Sequence, residues 1–139
     1  MKITLAKSKE DIKKCFPVIV QLRTALKIDE FVRRIQKQQK TGYQLAFLTD
    51  KGSVISLAGF RFIENLFSSK FVYIEDFITN SQNRSKGYGS RIFDWVVNYA
   101  KKNGCKELHL DSGVQRFDAH RFYLRKRMSI TCHHFGLIL

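Results

Sequence analysis

The stretch Arg84-Ser85-Lys86-Gly87-Tyr88-Gly89 lies between two segments with different hydrophobic patterns. Residues 71–79 are typical of a strand, and residues 89–103 have the apolar spacing of an amphipathic helix. A glycine-bearing loop that leads into a helix suits an anion, because its glycines let the backbone approach a ligand and the helix N-terminus favours negative charge. The stretch therefore predicts a diphosphate-binding loop, with its arginine and lysine as added cations. The alternative is a turn that binds nothing.

The pattern of this loop, R-x-x-G-x-G, differs from the other common phosphate-binding loops. The chain has no G-x-x-x-x-G-K-[ST] run, and the dinucleotide fingerprint G-x-G-x-x-G fails because Ile92 stands where the third glycine belongs. Instead, a carboxylate pair, Glu75-Asp76, lies upstream on the predicted strand. Neither of those two nucleotide-binding motifs therefore describes the loop.

Composition indicates one folded domain. The 139 residues are 44% hydrophobic and 13% aromatic, with a single proline and no repeat, linker or low-complexity tract. A chain of this length can bury a sizeable core. We expect one domain over residues 1–139.

No targeting, membrane-spanning or metal-binding pattern is visible. The apolar run at residues 1–5 is short for a signal peptide, and no stretch approaches the roughly 20 apolar residues of a membrane span, so we expect a cytoplasmic protein with no membrane partner. Cys15, Cys105 and Cys132 lack C-x-x-C spacing and lie in apolar patterns, which favours packing over a disulfide, a nucleophile or a metal site. His133-His134 cannot easily share one ion, because adjacent residues of a strand point to opposite faces.

Two hydrophobic periods divide the chain into strands and helices. Strands are expected at residues 3–6, 43–49, 54–63, 71–79, 107–111 and 129–139, and helices after the caps Ser8 and Asp29 and over residues 89–103 and 117–127. A strand that follows a crossover helix usually lies parallel to the strand before that helix. We therefore expect an α/β fold of mixed α+β character, in which a mixed, mostly antiparallel central sheet has helices on both faces.

These motifs resemble the GNAT acetyltransferase superfamily. The loop at residues 84–89 is similar to the family's acetyl-coenzyme A loop, and residues 72–79 look like the central strand that leads into it. Residues 110–116 and 119–123 are similar to the family's next strand and its tyrosine-bearing helix, and His133-His134-Phe135 is similar to the ending of a bacterial subgroup. The resemblance covers essentially the whole chain. It implies a GNAT-like fold, in which two parallel central strands splay apart to admit an acyl cofactor.

The resemblance also implies a site for acetyl-coenzyme A. Backbone groups of residues 77–79 would pair with the pantetheine arm like an added strand, and the loop would surround the diphosphate. The implied contacts are Phe77, Ile78, Thr79, Arg84, Ser85, Lys86, Gly87, Tyr88, Gly89, Ser90 and His120. The alternatives are a surface aromatic at Tyr88 and, at His120, either a second candidate base or a hydrogen-bonded structural histidine.

Acetyl transfer to an amine needs a base, an oxyanion donor and an acid. A backbone N–H at the end of the strand over residues 71–79 can serve the oxyanion. Tyr123, at the place of the family's tyrosine, is the expected proton donor because a phenol stays protonated at neutral pH; core packing is the alternative. Glu75 or Asp76 is the expected base. Strand alternation lets only one of them face the cleft, and Glu75 has the longer reach.

Three functions are open on the sequence alone. The first is an acetyl-coenzyme A-dependent N-acetyltransferase, in which a primary amine of a small molecule or a protein attacks directly in a ternary complex. The second is a GNAT-fold binding module without turnover. The third is a nucleic-acid-binding domain, suggested by the net charge of +13 but by no recognition motif; this charge also suits an anionic cofactor. The apolar residues 135–139 are compatible with a homodimer or with a buried last strand.

Overall fold

A computed structural model describes all 139 residues and contains five strands, four α-helices and one short 3-10 helix at Ser81–Asn83. In chain order the strands and α-helices are β1 (Lys2–Leu5), α1 (Lys9–Ile19), α2 (Ile28–Gln39), β2 (Gln44–Asp50), β3 (Ser53–Asn65), β4 (Ser69–Thr79), α3 (Tyr88–Lys102), β5 (Glu107–Leu110) and α4 (Phe117–Arg125). No helix combines the length and the apolar character that crossing a membrane requires. The chain falls into two compact units, Met1–His109 and Leu110–Leu139. The single domain expected from composition stays a prediction.

The five strands form one sheet in the order β1-β2-β3-β4-β5. The pairs β1 with β2, β2 with β3 and β3 with β4 are all antiparallel. β4 continues into helix α3, which leads back to β5, and this connection is typical of parallel neighbours. The predicted mixed, mostly antiparallel sheet is confirmed.

Helices cover both faces of the sheet within the Met1–His109 unit, as predicted. On one face, α1 and α2 place Ile12 and Phe31 in an apolar cluster with Leu57 of the sheet. On the other face, α3 packs against β3 and β4, and the Phe93 ring lies 6.1 Å from the Phe77 ring. Full burial of such a side chain stabilises the fold by about 1.5–3 kcal/mol. These two helical layers bury both faces of the sheet.

The predicted strand over residues 129–139 is wrong. These residues have no regular secondary structure, and Phe135, Ile138 and Leu139 are 91%, 98% and 111% exposed. The prediction relied on apolar and β-branched residues, but β-propensity describes the fit of a side chain to a half-buried pleated surface, and not a preference of the backbone itself. Without a neighbouring strand to accept and donate hydrogen bonds, this segment does not become a strand.

One irregularity interrupts the pairing of β3 with β4. Gly59 lies opposite Asp76, whereas Phe60 lies opposite Ile74, so Glu75 is an extra residue in β4 and forms a β-bulge. The missing side chain of Gly59 leaves room at this point. A Cβ on that residue would overlap the phenol oxygen of Tyr43 and would lie 2.9 Å from Asp76 Oδ2.

Gly59→Ala should therefore lower the free energy of unfolding by about 1–3 kcal/mol, because the added methyl group forces the Tyr43 ring out of a packed position. Urea unfolding of the two proteins measures this difference. Gly136→Ala is the matched control, since a Cβ there would have only a His134 ring nitrogen at 4.0 Å. Equal losses of stability in the two variants would contradict the assignment of Gly59 as a close-approach position.

Candidate active site

The bulge brings both carboxylates of β4 to the face of the sheet that α1 and α2 cover. Asp76 Oδ1 accepts a hydrogen bond from Arg23 Nε at 3.0 Å, and Asp76 Oδ2 accepts one from the Tyr43 hydroxyl at 2.7 Å. Glu75 accepts from Arg61, whose guanidinium lies over the Tyr43 ring. Regular strand alternation would put the two carboxylates on opposite faces of the sheet, but the extra residue of the bulge breaks that alternation and puts both on this face.

Arg61 holds Glu75 in place and ties it to helix α2. Its Nε and NH2 groups donate to the two Glu75 oxygens, and NH2 also donates to Gln38 Oε1 at 3.2 Å. A further donor, NH1, lies 3.4 Å from the carbonyl oxygen of Thr41. A carboxylate engaged through both of its oxygens is fixed in orientation. Glu75 is therefore part of a rigid network between β3, β4 and the end of α2.

Arg23 links the connection between α1 and α2 to the sheet. Besides its bond to Asp76, it donates from NH2 to the backbone oxygen of Glu75 at 3.0 Å. The Asp76 side chain is 18% exposed, so its charge is partly removed from water. Pairing with a cation and a phenol offsets the cost of that burial.

Tyr43 is a buried phenol, 3% exposed, in the residue just before β2. Burial, together with the negative charge of Asp76, raises the pKa of Tyr43 well above its ordinary value. The phenol is therefore protonated and serves as a hydrogen-bond donor to Asp76. This bond fixes which carboxylate oxygen is engaged and leaves the phenol oxygen able to accept.

A cavity of about 350 Å³ opens beside this cluster. Its walls come from the end of α1, the connection that follows, one face of α2, and the polar pair Tyr43 and Asp76. Asp76 lines the cavity, whereas Glu75 does not. A carboxylate at the wall of a small, largely apolar cavity is a common arrangement for binding an amine and receiving its proton.

The loop at residues 84–89 begins helix α3 in the manner expected of an anion-binding turn. Gly87 is the N-cap residue, with φ of 81° in the left-handed region that favours glycine, and no side chain caps the helix. The first intrahelical bond runs from Arg91 N to Gly87 O at 3.1 Å. The N–H groups of Tyr88, Gly89 and Ser90 therefore have no acceptor within the helix. The residues from Arg84 to Gly87 are exposed.

The three strand residues predicted to meet the cofactor are placed differently from one another. Phe77 packs its ring against Phe93 of α3, and Ile78 is buried in the cluster on the opposite face. Ser56 Oγ donates to the carbonyl oxygen of Ile78 at 3.0 Å and lies 2.9 Å from Thr79 Oγ1. The side chains of Phe77 and Ile78 are thus engaged in packing, and Thr79 Oγ1 has the Ser56 hydroxyl as its neighbour.

Tyr123 and His120 lie on α4 in the Leu110–Leu139 unit. Burial raises the pKa of Tyr123 above its ordinary value, and the positive charge of Arg116 opposes this shift. The Nε2 atom of His120 lies 2.8 Å from the carbonyl oxygen of Gly113, which agrees with the structural alternative for this histidine. A protonated phenol on this helix is suited to donating a proton.

The cysteines are all unpaired. Cys15 and Cys105 are buried, and burial raises the pKa of the Cys15 thiol to about 12. A protonated, buried thiol is a poor nucleophile, and this agrees with packing roles for these two residues. The expected packing of Cys132 is wrong, because the residue is exposed in the irregular C-terminal segment.

Sequence reasoning missed four residues of the cluster around Asp76. They are Arg23, Gln38, Tyr43 and Arg61. The one available signal was Gly59, since an isolated glycine inside a strand pattern indicates a bulge or a close approach of another group. That signal locates the irregularity but does not name the side chains that fill it.

Comparison with known proteins identifies the family of this chain. The family model described as Acetyltransferase (GNAT) family matches residues 9–128. YhdJ of Bacillus subtilis (strain 168), described as an uncharacterized N-acetyltransferase, is 35% identical over 120 residues, which is 86% of this chain and 84% of that protein.

Solved structures show the same fold. A ribosomal-protein-alanine N-acetyltransferase from Brucella melitensis biovar Abortus 2308 superimposes with a TM-score of 0.85 at 12% identity, over 100% of both chains. A GNAT family acetyltransferase from Staphylococcus aureus subsp. aureus USA300_TCH1516 gives a TM-score of 0.81 at 21% identity, again over 100% of both chains. With the family model and the curated relative, the chain is shown to belong to the acetyltransferase (GNAT) family and to be an N-acetyltransferase.

Proposed function

We propose that this protein transfers the acetyl group of acetyl-coenzyme A to a primary amine, which attacks the thioester directly in a ternary complex. The observation that carries the proposal is the cavity lined by Asp76 and Tyr43. Asp76 belongs to β4, the strand that precedes the loop at residues 84–89. One strand thus connects an amine-sized cavity with an anion-binding turn. The GNAT family supplies the acetyl transfer, and the cavity supplies the place for the acceptor.

The start of α3 supports binding of the diphosphate. The uncapped N–H groups of its first turn and the positive end of the helix dipole favour an anion, and Gly87 lets the ligand approach the backbone. Arg84 and Lys86 add exposed positive charge, and Ser85, Tyr88, Gly89 and Ser90 complete the proposed surround. Bound there, acetyl-coenzyme A supplies the activated acetyl group.

The unequal lengths of β4 and β5 support a place for the pantetheine arm beside the end of β4. β5 has four residues against eleven in β4, and it meets the beginning of β4, where Lys106 N donates to Lys70 O at 2.7 Å. The backbone at residues 77–79 lies well beyond that point. We assign the pairing of the arm to this stretch, in the manner of an added strand.

Asp76 is the residue that we assign as the base, in place of Glu75. An ammonium group has no lone pair, so it must lose a proton before its nitrogen can form a bond to carbon. Asp76 lines the acceptor cavity, whereas Glu75 is held by Arg61 outside it. Asp76 takes the proton directly or through one water, and Glu75 positions the bulge.

Tyr123 is the residue that we assign as the acid. When the bond from sulfur to the acetyl carbon breaks, the departing thiolate needs a proton. The raised pKa of Tyr123 keeps its phenol protonated at neutral pH, which is the state that a donor requires. His120, held by Gly113, is not needed for this step.

Titration of acetyl-coenzyme A into the protein by calorimetry tests the cofactor site. Arg84→Glu should raise the Kd about tenfold or more, because a charge-assisted contact is replaced by repulsion, and the effect should shrink as salt increases. Arg33→Glu, the same charge change at an exposed position of α2, should leave the Kd unchanged. Unaltered binding in Arg84→Glu would remove the loop from the cofactor site.

The choice of base is tested by a pair of matched variants. Asp76→Asn should lower kcat about a hundredfold, whereas Glu75→Gln should lower it much less, because only the first removes a proton acceptor from the cavity. Steady-state kinetics give the comparison, and calorimetry checks that acetyl-coenzyme A still binds. A larger loss in Glu75→Gln would make Glu75 the base.

Tyr123→Phe should lower kcat about a hundredfold and leave the Kd of acetyl-coenzyme A nearly unchanged, since it removes only the proton donor. In the wild-type protein the Tyr123 phenol loses its proton only above the ordinary tyrosine pKa. The kcat of the wild-type protein should therefore fall with rising pH only above about pH 10. Tyr99→Phe is the control, since its hydroxyl donates to Gln44 in a structural contact. Full activity in Tyr123→Phe would exclude this tyrosine as the acid.

A further inference from the structure

The acceptor cavity is small and has apolar walls. Its volume of about 350 Å³ is near the lower end for ligand sites, so it suits a small molecule. Ile19, Leu26, Phe31 and Ile35 line it, and three of these belong to the buried core. The ligand therefore carries an apolar portion that gains by leaving water.

The charged side chains in the cavity wall are balanced in number. Arg23 and Arg34 supply two positive charges, and Glu30 and Asp76 supply two negative charges. A ligand with a single ammonium group would add one positive charge to this balanced set. A ligand with an ammonium group and an acid group leaves the cavity balanced.

The two arginines differ in how firmly their existing partners hold them. Arg23 donates from Nε to the Asp76 carboxylate and from NH2 to the Glu75 backbone oxygen, both at 3.0 Å, so two of its three nitrogens are engaged on the protein. Arg34 makes one contact, from NH1 to Glu30 Oε1 at 3.3 Å, and the two side chains are 59% and 42% exposed. Exposed pairs of this kind stabilise a helix very little, so Arg34 can exchange Glu30 for a ligand.

We propose that the acceptor is a small amine that also carries a carboxylate on an apolar frame, and that Arg34 binds this carboxylate while the amine faces Asp76. The guanidinium fork of arginine matches a carboxylate with two parallel hydrogen bonds. The inference rests on the proposed function, because it deepens the role of the same cavity. Polyamines are poor ligands for such a site, since they carry no carboxylate for Arg34.

Two pairs of amines, each differing by one carboxylate, test this specificity. They are L-phenylalanine with phenethylamine, and ε-aminocaproate with pentylamine, so the spacing between amine and acid differs from one pair to the other. Binding of each probe is measured by calorimetry without acetyl-coenzyme A, and acetyl transfer is measured separately as release of free thiol. In at least one pair, the acid-bearing member should bind about tenfold tighter, which corresponds to about 1.4 kcal/mol.

Arg34→Gln and Arg33→Gln are the matched variants, because they remove the same charge from adjacent residues of α2. Arg34 lines the cavity, whereas Arg33 is exposed outside it. In Arg34→Gln the two members of each pair should bind with about equal affinity, whereas in Arg33→Gln the acid-bearing amine should still bind more tightly. Circular dichroism confirms that α2 is intact in both.

The outcomes separate this inference from the proposed function. Arg34-dependent binding of an acid-bearing amine without any release of free thiol would support the ligand class and overturn the assignment of this cavity as the acceptor site for acetyl transfer. Thiol release that is equal for the two members of each pair, or that favours the plain amine, would support the activity and overturn the ligand class. The ligand class is also overturned if no probe binds, or if Arg34→Gln and Arg33→Gln behave alike.

Discussion

The extra residue in β4 determines the geometry of everything around the cavity. With regular alternation, Glu75 and Asp76 would face opposite sides of the sheet, and one carboxylate would meet the helix α3 layer. The bulge turns both toward α1 and α2, and the absence of a side chain at Gly59 leaves the space into which the Tyr43 phenol reaches. The position of the proposed base therefore depends on a backbone irregularity that the two neighbouring strands share.

Partly buried charge is the second constraint. Two carboxylates on adjacent residues repel each other and lose part of their hydration, so each requires its own cation. Arg61 serves Glu75 and Arg23 serves Asp76, and the two arginines come from different layers of the fold. Arg61 also donates to Gln38 of α2, and Arg23 ties β4 to the segment that follows α1, so these arginines connect the sheet to two walls of the cavity.

The sequence predicts local features better than it predicts which side chains from distant segments meet in space. The loop at residues 84–89 and the helix after it were predictable because glycine spacing and apolar period are properties of neighbouring residues. The cluster of Arg23, Tyr43 and Arg61 was not, because it gathers side chains from distant segments around a bulge that breaks the period-two rule. The error at residues 129–139 has the same origin: a strand exists only if another strand pairs with it, and composition does not report that partner.

The exposed apolar side chains of the C-terminal segment have a consequence for the behaviour of the protein in solution. Apolar surface is exposed to solvent at Phe135, Leu137 and Ile138. At the same time, a net charge of +13 makes molecules of this protein repel one another. At low ionic strength this long-range repulsion keeps molecules apart, but at about 0.15 M salt it is screened beyond roughly 8 Å. Colloidal stability is then a balance between a short-range attraction that salt leaves intact and a repulsion that salt removes.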